Sequence, residues 1–213
     1  MPNPDIVESS LEHRIQFDGN WIDKWVLPNP FISLLLSALK STPLTLEHFS
    51  FRADAKNVAE TALVISIEEL RGTVTLGVDR LAFKLNNPDW DMAERVVELF
   101  DGVVDALKST ISAPIKTQES TLAFHVSQGE FDYGTKTAAL VDSKKLGPAT
   151  FYGINVFASD RSVLIQPSKR YSGGAFYRIT RVFRPDAKFA DIALALYADE
   201  AAALSLLDIK GVI

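Results

Sequence analysis

Cationic side chains are concentrated in one stretch of the sequence, residues 151–190. Seven lysines and arginines lie there with two aspartates, so the stretch carries +5, whereas the whole chain carries −5. Guanidinium and ammonium groups bind carboxylates and phosphates, so we predict a surface for an acidic protein partner or a small anion. The candidate binding residues are Arg161, Lys169, Arg170, Ser172, Arg178, Arg181 and Arg184.

Two segments of this stretch could make the contacts in different ways. Residues 167–174 form a predicted loop with two cations, two hydroxyl groups and two glycines, and such a loop can present backbone N–H groups to an anion. In the strand that follows, alternation places Arg178 and Arg184 on one face and Arg181 on the other. The alternative interpretation is a solvated sheet face whose arginines pair with acidic helices. Basic, aromatic strands also bind single-stranded nucleic acid, but the acidic net charge opposes binding to a polyanion, and we do not predict a nucleic-acid partner.

Metal and thiol chemistry have little support in the sequence. The three histidines, His13, His48 and His125, fall on separate predicted strands, and none of them has a second ligand at a metal-binding spacing. We therefore predict no metal site and interpret His13 as a hydrogen-bonded core or edge residue. The chain contains no cysteine, which excludes disulfides and thiol catalysis and fits a reducing compartment.

No catalytic or nucleotide-binding motif is present. The sequence lacks a Gly-x-Ser-x-Gly elbow, a phosphate-binding Gly-x-x-x-x-Gly-Lys-Ser/Thr loop and a Gly-x-Gly-x-x-Gly fingerprint. We predict no catalytic residue and no cofactor. With 47% hydrophobic and 23% charged residues, the chain has the composition of an ordinary globular protein. Because it shows neither a secretory signal nor a membrane-spanning apolar run, we expect a cytoplasmic protein.

The predicted elements follow the same order twice. After a flexible tail at residues 1–10, alternating residues predict strands at 11–17, 44–53, 61–68, 73–78 and 81–85, with a buried helix at 31–40. Pro88 and Asp89 then begin an amphipathic helix with an acidic outer face. A strand around residues 122–126, a polar loop at 129–137 and strands at 137–141, 151–158, 162–166 and 175–183 follow. Pro185 and Asp186 begin the last helix.

The two helices also match in sequence when the chain is shifted by ninety-seven residues. Six positions between Pro88 and Leu107 are identical in the later segment. We therefore predict an α+β fold of antiparallel meander sheets, each followed by a long helix, produced by internal duplication. The predicted halves are residues 11–135 and 136–213, either as separate units or as one continuous domain.

The last helix departs from its earlier copy at Asp199 and Glu200. Either the helix breaks there, with Asp199 capping a second short helix, or Glu200 faces a partner. The other surfaces of the helix are mostly alanine, which allows another helix to approach closely. This pattern predicts a symmetric homodimer formed through apolar helices.

The sequence does not determine a biochemical activity. The leading hypothesis is a non-enzymatic protein that self-associates and binds an acidic or anionic partner through its basic strand face. The alternative is an enzyme or small-ligand-binding protein whose pocket lies between the two halves. The predicted lining of that pocket is Trp21, Trp25, Tyr152 and Tyr171.

Overall fold

A computed structural model describes residues 5–21, 32–33, 36–37, 45–52, 61–110, 113–127, 132–138 and 153–207. Nine strands lie in this part of the chain: β1 (Asp5–Phe17), β2 (Phe49–Arg52), β3 (Ala62–Ile67), β4 (Gly72–Leu76), β5 (Arg80–Asn86), β6 (Ile115–Ser127), β7 (Ile154–Phe157), β8 (Arg161–Pro167) and β9 (Ala175–Phe183). The helices are α1 (Ala93–Thr110), α2 (Tyr133–Ala138) and α3 (Phe189–Ser205).

All nine strands belong to one large antiparallel sheet with the order β2-β3-β4-β5-β1-β6-β9-β8-β7. The predicted α+β class is confirmed. The prediction of separate meander sheets is wrong, since the strands share a single sheet. None of the described helices is long and apolar enough to cross a membrane.

The chain divides into two compact units that are not consecutive in sequence. The N-terminal unit comprises Leu11–Ser120 and Phe183–Ile192, and the C-terminal unit comprises Met1–Ser10, Thr121–Val182 and Ala193–Ile213. The long strands β1 and β6 each contribute residues to both units.

The core of the N-terminal unit follows directly from its sequence periodicity. Alternate residues of β1, β3, β4 and β5 are buried, as expected for strands with one covered face. The apolar face of the predicted amphipathic helix is buried as well, at Val96, Leu99, Val103 and Leu107 of α1. The rings of Phe83 and Phe189 lie 5.1 Å and 4.3 Å from that of Phe100. These aromatic contacts join the sheet, α1 and the start of α3.

The C-terminal unit has its own core beneath β6, β8 and β9. Phe124 and Tyr177 are buried and stack with ring centroids 4.9 Å apart, and Leu196 of α3 is buried in the same unit. Gly174 permits a close backbone approach, because a Cβ atom there would lie 2.6 Å from the carbonyl oxygen of Val126. A side chain at this position would force β6 and the preceding loop apart.

Several elements differ from the sequence-based expectations. The strand β1 begins at Asp5, so residues 5–10 are strand rather than tail. The helix α2 occupies part of the predicted polar loop and includes two residues of the strand predicted at 137–141. Asp132 explains this helix, because its carboxylate accepts the N–H of Thr135 at 2.7 Å in the manner of an N-cap.

Two predicted helices also need comment. In the helix predicted at residues 31–40, the four described residues 32, 33, 36 and 37 are helical, and the others lie outside the described residues. The predicted break at Asp199 is wrong, since α3 continues through Asp199 and Glu200 to Ser205. Glu200 is half-buried, and burial raises the pKa of its carboxyl.

Candidate functional site

The alternation of β9 separates the candidate cations into two groups. Tyr177 and Ile179 are buried, whereas Arg178 between them is exposed on the opposite face. Arg181 lies on the side of Tyr177, and the register places it directly across from Arg161 of β8. The seven candidate residues therefore do not form one continuous surface.

Arg161 and Arg181 form ion pairs with two aspartates of the C-terminal unit. The side chain of Asp199 is only 2% exposed and accepts hydrogen bonds from Nη1 of Arg161 and, at 2.9 Å, from Nη1 of Arg181. Nη2 of Arg181 lies 3.1 Å from Oδ2 of Asp160. Like charges directly opposite each other on two strands repel, and the two carboxylates offset this repulsion. These two arginines connect α3 to β8 and β9, and each already has a carboxylate partner.

The loop at residues 167–174 uses its polar groups internally. Oγ of Ser168 accepts the N–H groups of Arg170 at 3.1 Å and Tyr171 at 2.9 Å. The N–H of Gly174 donates to the carbonyl oxygen of Tyr171 at 3.0 Å. An anion site in this loop would need backbone N–H groups that point at the anion. These three N–H groups instead donate to acceptors within the loop.

The guanidinium of Arg170 is also paired within the C-terminal unit. It binds the carboxylate of Glu8 in β1, and this hydrogen bond lowers the pKa of Glu8. The hydroxyl of Tyr171 lies 3.4 Å from the same carboxylate. Lys169 and Ser172 remain exposed.

His125 connects this loop to the sheet. Its Nδ1 lies 2.9 Å from Oγ of Ser168, and its ring centroid lies 5.5 Å from that of Tyr171 and 4.9 Å from that of Phe176. Since the Ser168 oxygen already accepts two N–H groups, its own hydrogen is donated to Nδ1, and the imidazole is neutral with its proton on Nε2. Burial lowers the pKa of His125 in agreement with this assignment, although the charge of Glu8 acts in the opposite direction.

His13 is a hydrogen-bonded core residue, as predicted. Its Nδ1 lies 2.6 Å from Oγ of Ser120, and its Nε2 lies 3.2 Å from Oε1 of Gln118. Burial lowers the pKa of His13 to about 4. His48 lies in a 3-10 turn rather than a strand, and its Nδ1 accepts the N–H of Thr45 at 3.0 Å. Among the described residues, no group of three potential metal ligands comes together.

The candidate residue Arg178 lies on the face of β6, β7, β8 and β9 opposite Tyr177, which we name the open face. Its side chains are those of Thr121, Ala123, His125, Asn155, Phe157, Ser162, Leu164, Gln166, Phe176, Arg178, Thr180 and Val182. The register aligns Arg178 with Leu164 and Asn155, and Thr180 with Ser162 and Phe157. Phe157 is 74% exposed and Val182 is 50% exposed.

Arg178 differs from the other arginines of the C-terminal unit in its electrostatic surroundings. Its guanidinium has no hydrogen-bond or ion-pair partner among the described residues. Arg184, in the N-terminal unit, lies 3.6 Å from Asp186, and both side chains are strongly exposed. An exposed pair of this kind contributes little to stability.

The sequence-based pocket hypothesis is only partly within the described structure. Trp25 and Tyr152 lie outside the described residues. Trp21 is buried, and its ring lies 5.1 Å from that of Phe17 in an edge-to-face contact. The N-terminal unit does contain a cavity of about 240 Å³ and a broader groove of about 550 Å³ on its own sheet face.

Sequence reasoning missed Glu8, His125 and Asp199 as parts of these arrangements. Glu8 lies in the segment predicted as a tail. By strand alternation it falls on the same face of β1 as Glu12, Arg14 and Gln16, opposite the buried residues. Asp199 is a position at which the last helix departs from its earlier copy in sequence. This departure coincides with the ion pairs to Arg161 and Arg181.

Comparisons with known proteins do not assign the chain to a family. No family model and no curated protein matches it. Among solved structures it is similar to Methanococcus jannaschii TBP, with a TM-score of 0.33 and 12% identity over 93% of this chain and 97% of that chain. At this level of similarity we draw no conclusion about function.

Proposed function

We propose that the protein binds an acidic segment of a partner protein through the open face. The observation that carries this proposal is the position of Arg178, an arginine without an ion-pair partner in the described structure, among exposed apolar side chains. Protein interfaces are enriched in arginine and aromatic residues at their centres. The proposal retains the acidic partner expected from the sequence but reduces the set of cations that contact it.

The open face offers two kinds of contact. Phe157 and Val182 are exposed apolar side chains. Full burial of such a side chain is worth about 1.5–3 kcal/mol, and a partner gains the share of it that corresponds to their exposed surface. Arg178 can bind a carboxylate through two parallel N–H groups, a geometry that gives specificity as well as affinity. A partner segment that combines aspartate or glutamate with apolar residues fits this surface best. Lys169 and Ser172, at the neighbouring loop, could extend the contact.

Selection of peptides from a random display library tests this proposal. We expect the selected peptides to combine acidic and apolar residues and to bind the Arg178→Glu variant at least about tenfold more weakly. Lys84→Glu is the matched control, because Lys84 is an exposed cation on β5 of the other unit and its reversal should leave binding unchanged. Peptides without acidic enrichment, or equal binding to Arg178→Glu, would contradict the proposal. Tight, salt-dependent binding of an oligothymidine in place of the peptides would identify a nucleic-acid surface instead.

A second interaction is supported by the outer surface of α3. Leu194 of α3 is 71% exposed, Leu206 just beyond its C-terminal end is 47% exposed, and the exposed alanines Ala198 and Ala201 lie between them. Small residues allow two helices to approach closely, so we propose that α3 forms the contact of a homodimer.

Analytical ultracentrifugation of the purified protein tests the dimer. We expect a dimer that Leu194→Glu converts to a monomer, because a charge in the centre of an apolar contact cannot be desolvated without a partner. Val182→Glu places the same charge at an exposed apolar position on the open face and should leave the dimer intact. A monomeric wild-type protein at high concentration would rule out this contact.

We also infer that the chain is an internal duplication and works in the cytoplasm. Across the sheet β1 is followed by β5, β4 and β3, and β6 is followed by β9, β8 and β7, so the repeat in the strand order begins at β1 and at β6 rather than at residue 136. A Pro-Asp turn and a long helix follow β5 and β9. Sequences of homologues should preserve the offset of ninety-seven residues between the two copies.

The absence of cysteine supports a reducing compartment, and the cytoplasmic location can be tested with a fluorescent fusion.

A further inference from the structure

A cavity in the N-terminal unit forms a separate candidate site. Its volume is about 240 Å³, which is below the range of about 300–1,000 Å³ typical of pockets for drug-sized ligands and suits a smaller molecule. Its apolar lining includes three buried residues, Leu70, Leu85 and Val96. The polar lining residues are Glu69, Arg71, Asn87 and Asp89.

The backbone is unusual at two residues that line this cavity. Arg71 and Asn87 have φ angles of 48° and 46°, and within the described residues they are the non-glycine positions with a left-handed backbone. The conformation of Arg71 is held by its own N–H, which donates to Glu68 at 2.9 Å, and by the N–H of Asn86, which donates to the Arg71 carbonyl at 3.1 Å. Glycine adopts this conformation more easily, so an arginine here carries a conformational cost that a functional role of its side chain would explain.

The charges around the cavity are only partly compensated. Glu69 is paired with Arg95 at 2.7 Å, and Oδ1 of Asp89 accepts the N–H of Asp91 at 3.0 Å. In the described part of the chain, neither the guanidinium of Arg71 nor Oδ2 of Asp89 has a partner. The cavity thus combines one uncompensated cation, one anion with an available oxygen, and an apolar floor.

We propose that this cavity binds a small aliphatic zwitterion, that is, a free α-amino acid with an apolar side chain. Arg71 binds the carboxylate of the ligand as a bidentate donor, Asp89 accepts the ammonium group, and the aliphatic side chain contacts Leu70, Leu85 and Val96. The carboxylate of a purely anionic ligand would be repelled by Asp89. The ammonium group of a purely cationic ligand would be repelled by Arg71.

Calorimetric titration with three related probes tests the charge requirement. L-leucine carries both charges, 4-methylpentanoate carries only the carboxylate, and 3-methylbutylamine carries only the ammonium group. We expect leucine to bind at least about tenfold more tightly than either of the other two. Equal binding of leucine and 4-methylpentanoate, or no binding of leucine at millimolar concentration, would overturn the proposal.

Two variants assign the charges to residues without disturbing the fold. Arg71→Gly removes the cation at a position whose backbone glycine tolerates. It should weaken leucine and 4-methylpentanoate by at least about tenfold, but it should not weaken 3-methylbutylamine, which loses a repulsive charge. Asp89→Asn keeps an oxygen for the N–H of Asp91 and should weaken leucine and the amine but not 4-methylpentanoate. Lys84→Gln, which removes an exposed cation of β5 outside the cavity, should alter none of the three affinities. Unchanged leucine affinity in Arg71→Gly, with an intact thermal transition, would refute the assignment.

Discussion

The two units bury polar side chains beneath the sheet in different ways. In the N-terminal unit the buried group is neutral: His13 contacts Ser120 and Gln118, and Nε2 of Gln118 donates to the carbonyl oxygens of Arg184, Pro185 and Ala187 at 3.0, 2.9 and 3.1 Å. In the C-terminal unit the buried group is ionic, with Asp199 between Arg161 and Arg181. The neutral network holds the turn that precedes α3, and the ionic cluster holds the body of that helix.

The difference determines how each unit responds to perturbation. A neutral network is stable as long as each donor has an acceptor, and protonation of its imidazole disrupts it. An ionic cluster depends on both signs of charge, because removal of one partner leaves the other uncompensated near the interior. The C-terminal unit should therefore be the more sensitive to mutation of a single charge, and the N-terminal unit the more sensitive to mild acid.

Loss of Asp199 is expected to have the largest effect. Asp199→Ala leaves Arg161 and Arg181 facing each other across β8 and β9, and it should reduce the free energy of unfolding by about 3–4 kcal/mol. The partial exposure of both arginines, 42% and 22%, keeps this loss toward the lower end of the range for buried pairs. Urea denaturation followed by circular dichroism measures the change.

Two further variants show whether the charge itself is responsible. Asp191→Ala, at an exposed position of the same helix, should change stability by less than about 0.5 kcal/mol. Asp199→Leu combined with Arg161→Met and Arg181→Met should recover most of the loss, because apolar replacement of the carboxylate and both of its arginine partners leaves no unpaired charge beside α3. If Asp199→Ala behaves like Asp191→Ala, the ionic cluster does not hold α3.

Acid sensitivity of His13 is the next largest expected effect. Burial lowers the pKa of His13 to about 4 from 6.5, so between these values the unfolded chain binds a proton that the folded chain does not. Stability therefore falls as the pH decreases from 6.5 to about 4, by up to about 3 kcal/mol, and this contribution is constant below that window.

The measurement is the unfolding free energy as a function of pH for wild type and His13→Gln. We expect the variant to be less stable at pH 7 but to lose up to about 3 kcal/mol less between pH 6.5 and pH 4. His125→Gln is the matched control in the other unit, since His125 is less buried than His13 and the charge of Glu8 opposes the lowering of its pKa by burial. Parallel pH curves for wild type and His13→Gln would show that His13 is not the titrating group.

Local periodicity allowed much of the fold to be predicted, because strand alternation and helical stripes depend on neighbouring residues. Alternation in β9 correctly assigned Arg178 and Arg181 to opposite faces. The partners of the arginines could not be predicted in the same way. Arg170 contacts Glu8 across a sequence separation of 162 residues, and Arg161 contacts Asp199 across 38, and these contacts depend on strand order and on the placement of α3. The role of Arg178 follows only when the pairs of the other arginines are known.

Asp160 gives the smallest expected effect and sharpens the comparison within the ionic cluster. Its side chain is 44% exposed, and it lies 3.1 Å from Arg181, so solvent screens the pair and Asp160→Asn should cost no more than about 0.5–1 kcal/mol. Because Asp160 and Asp199 share Arg181, a double-mutant cycle of Asp160→Asn and Asp199→Ala should show coupling rather than simple addition. Additive effects would mean that Asp199 alone neutralises the arginines, and the ionic cluster would then reduce to a single buried carboxylate with two donors.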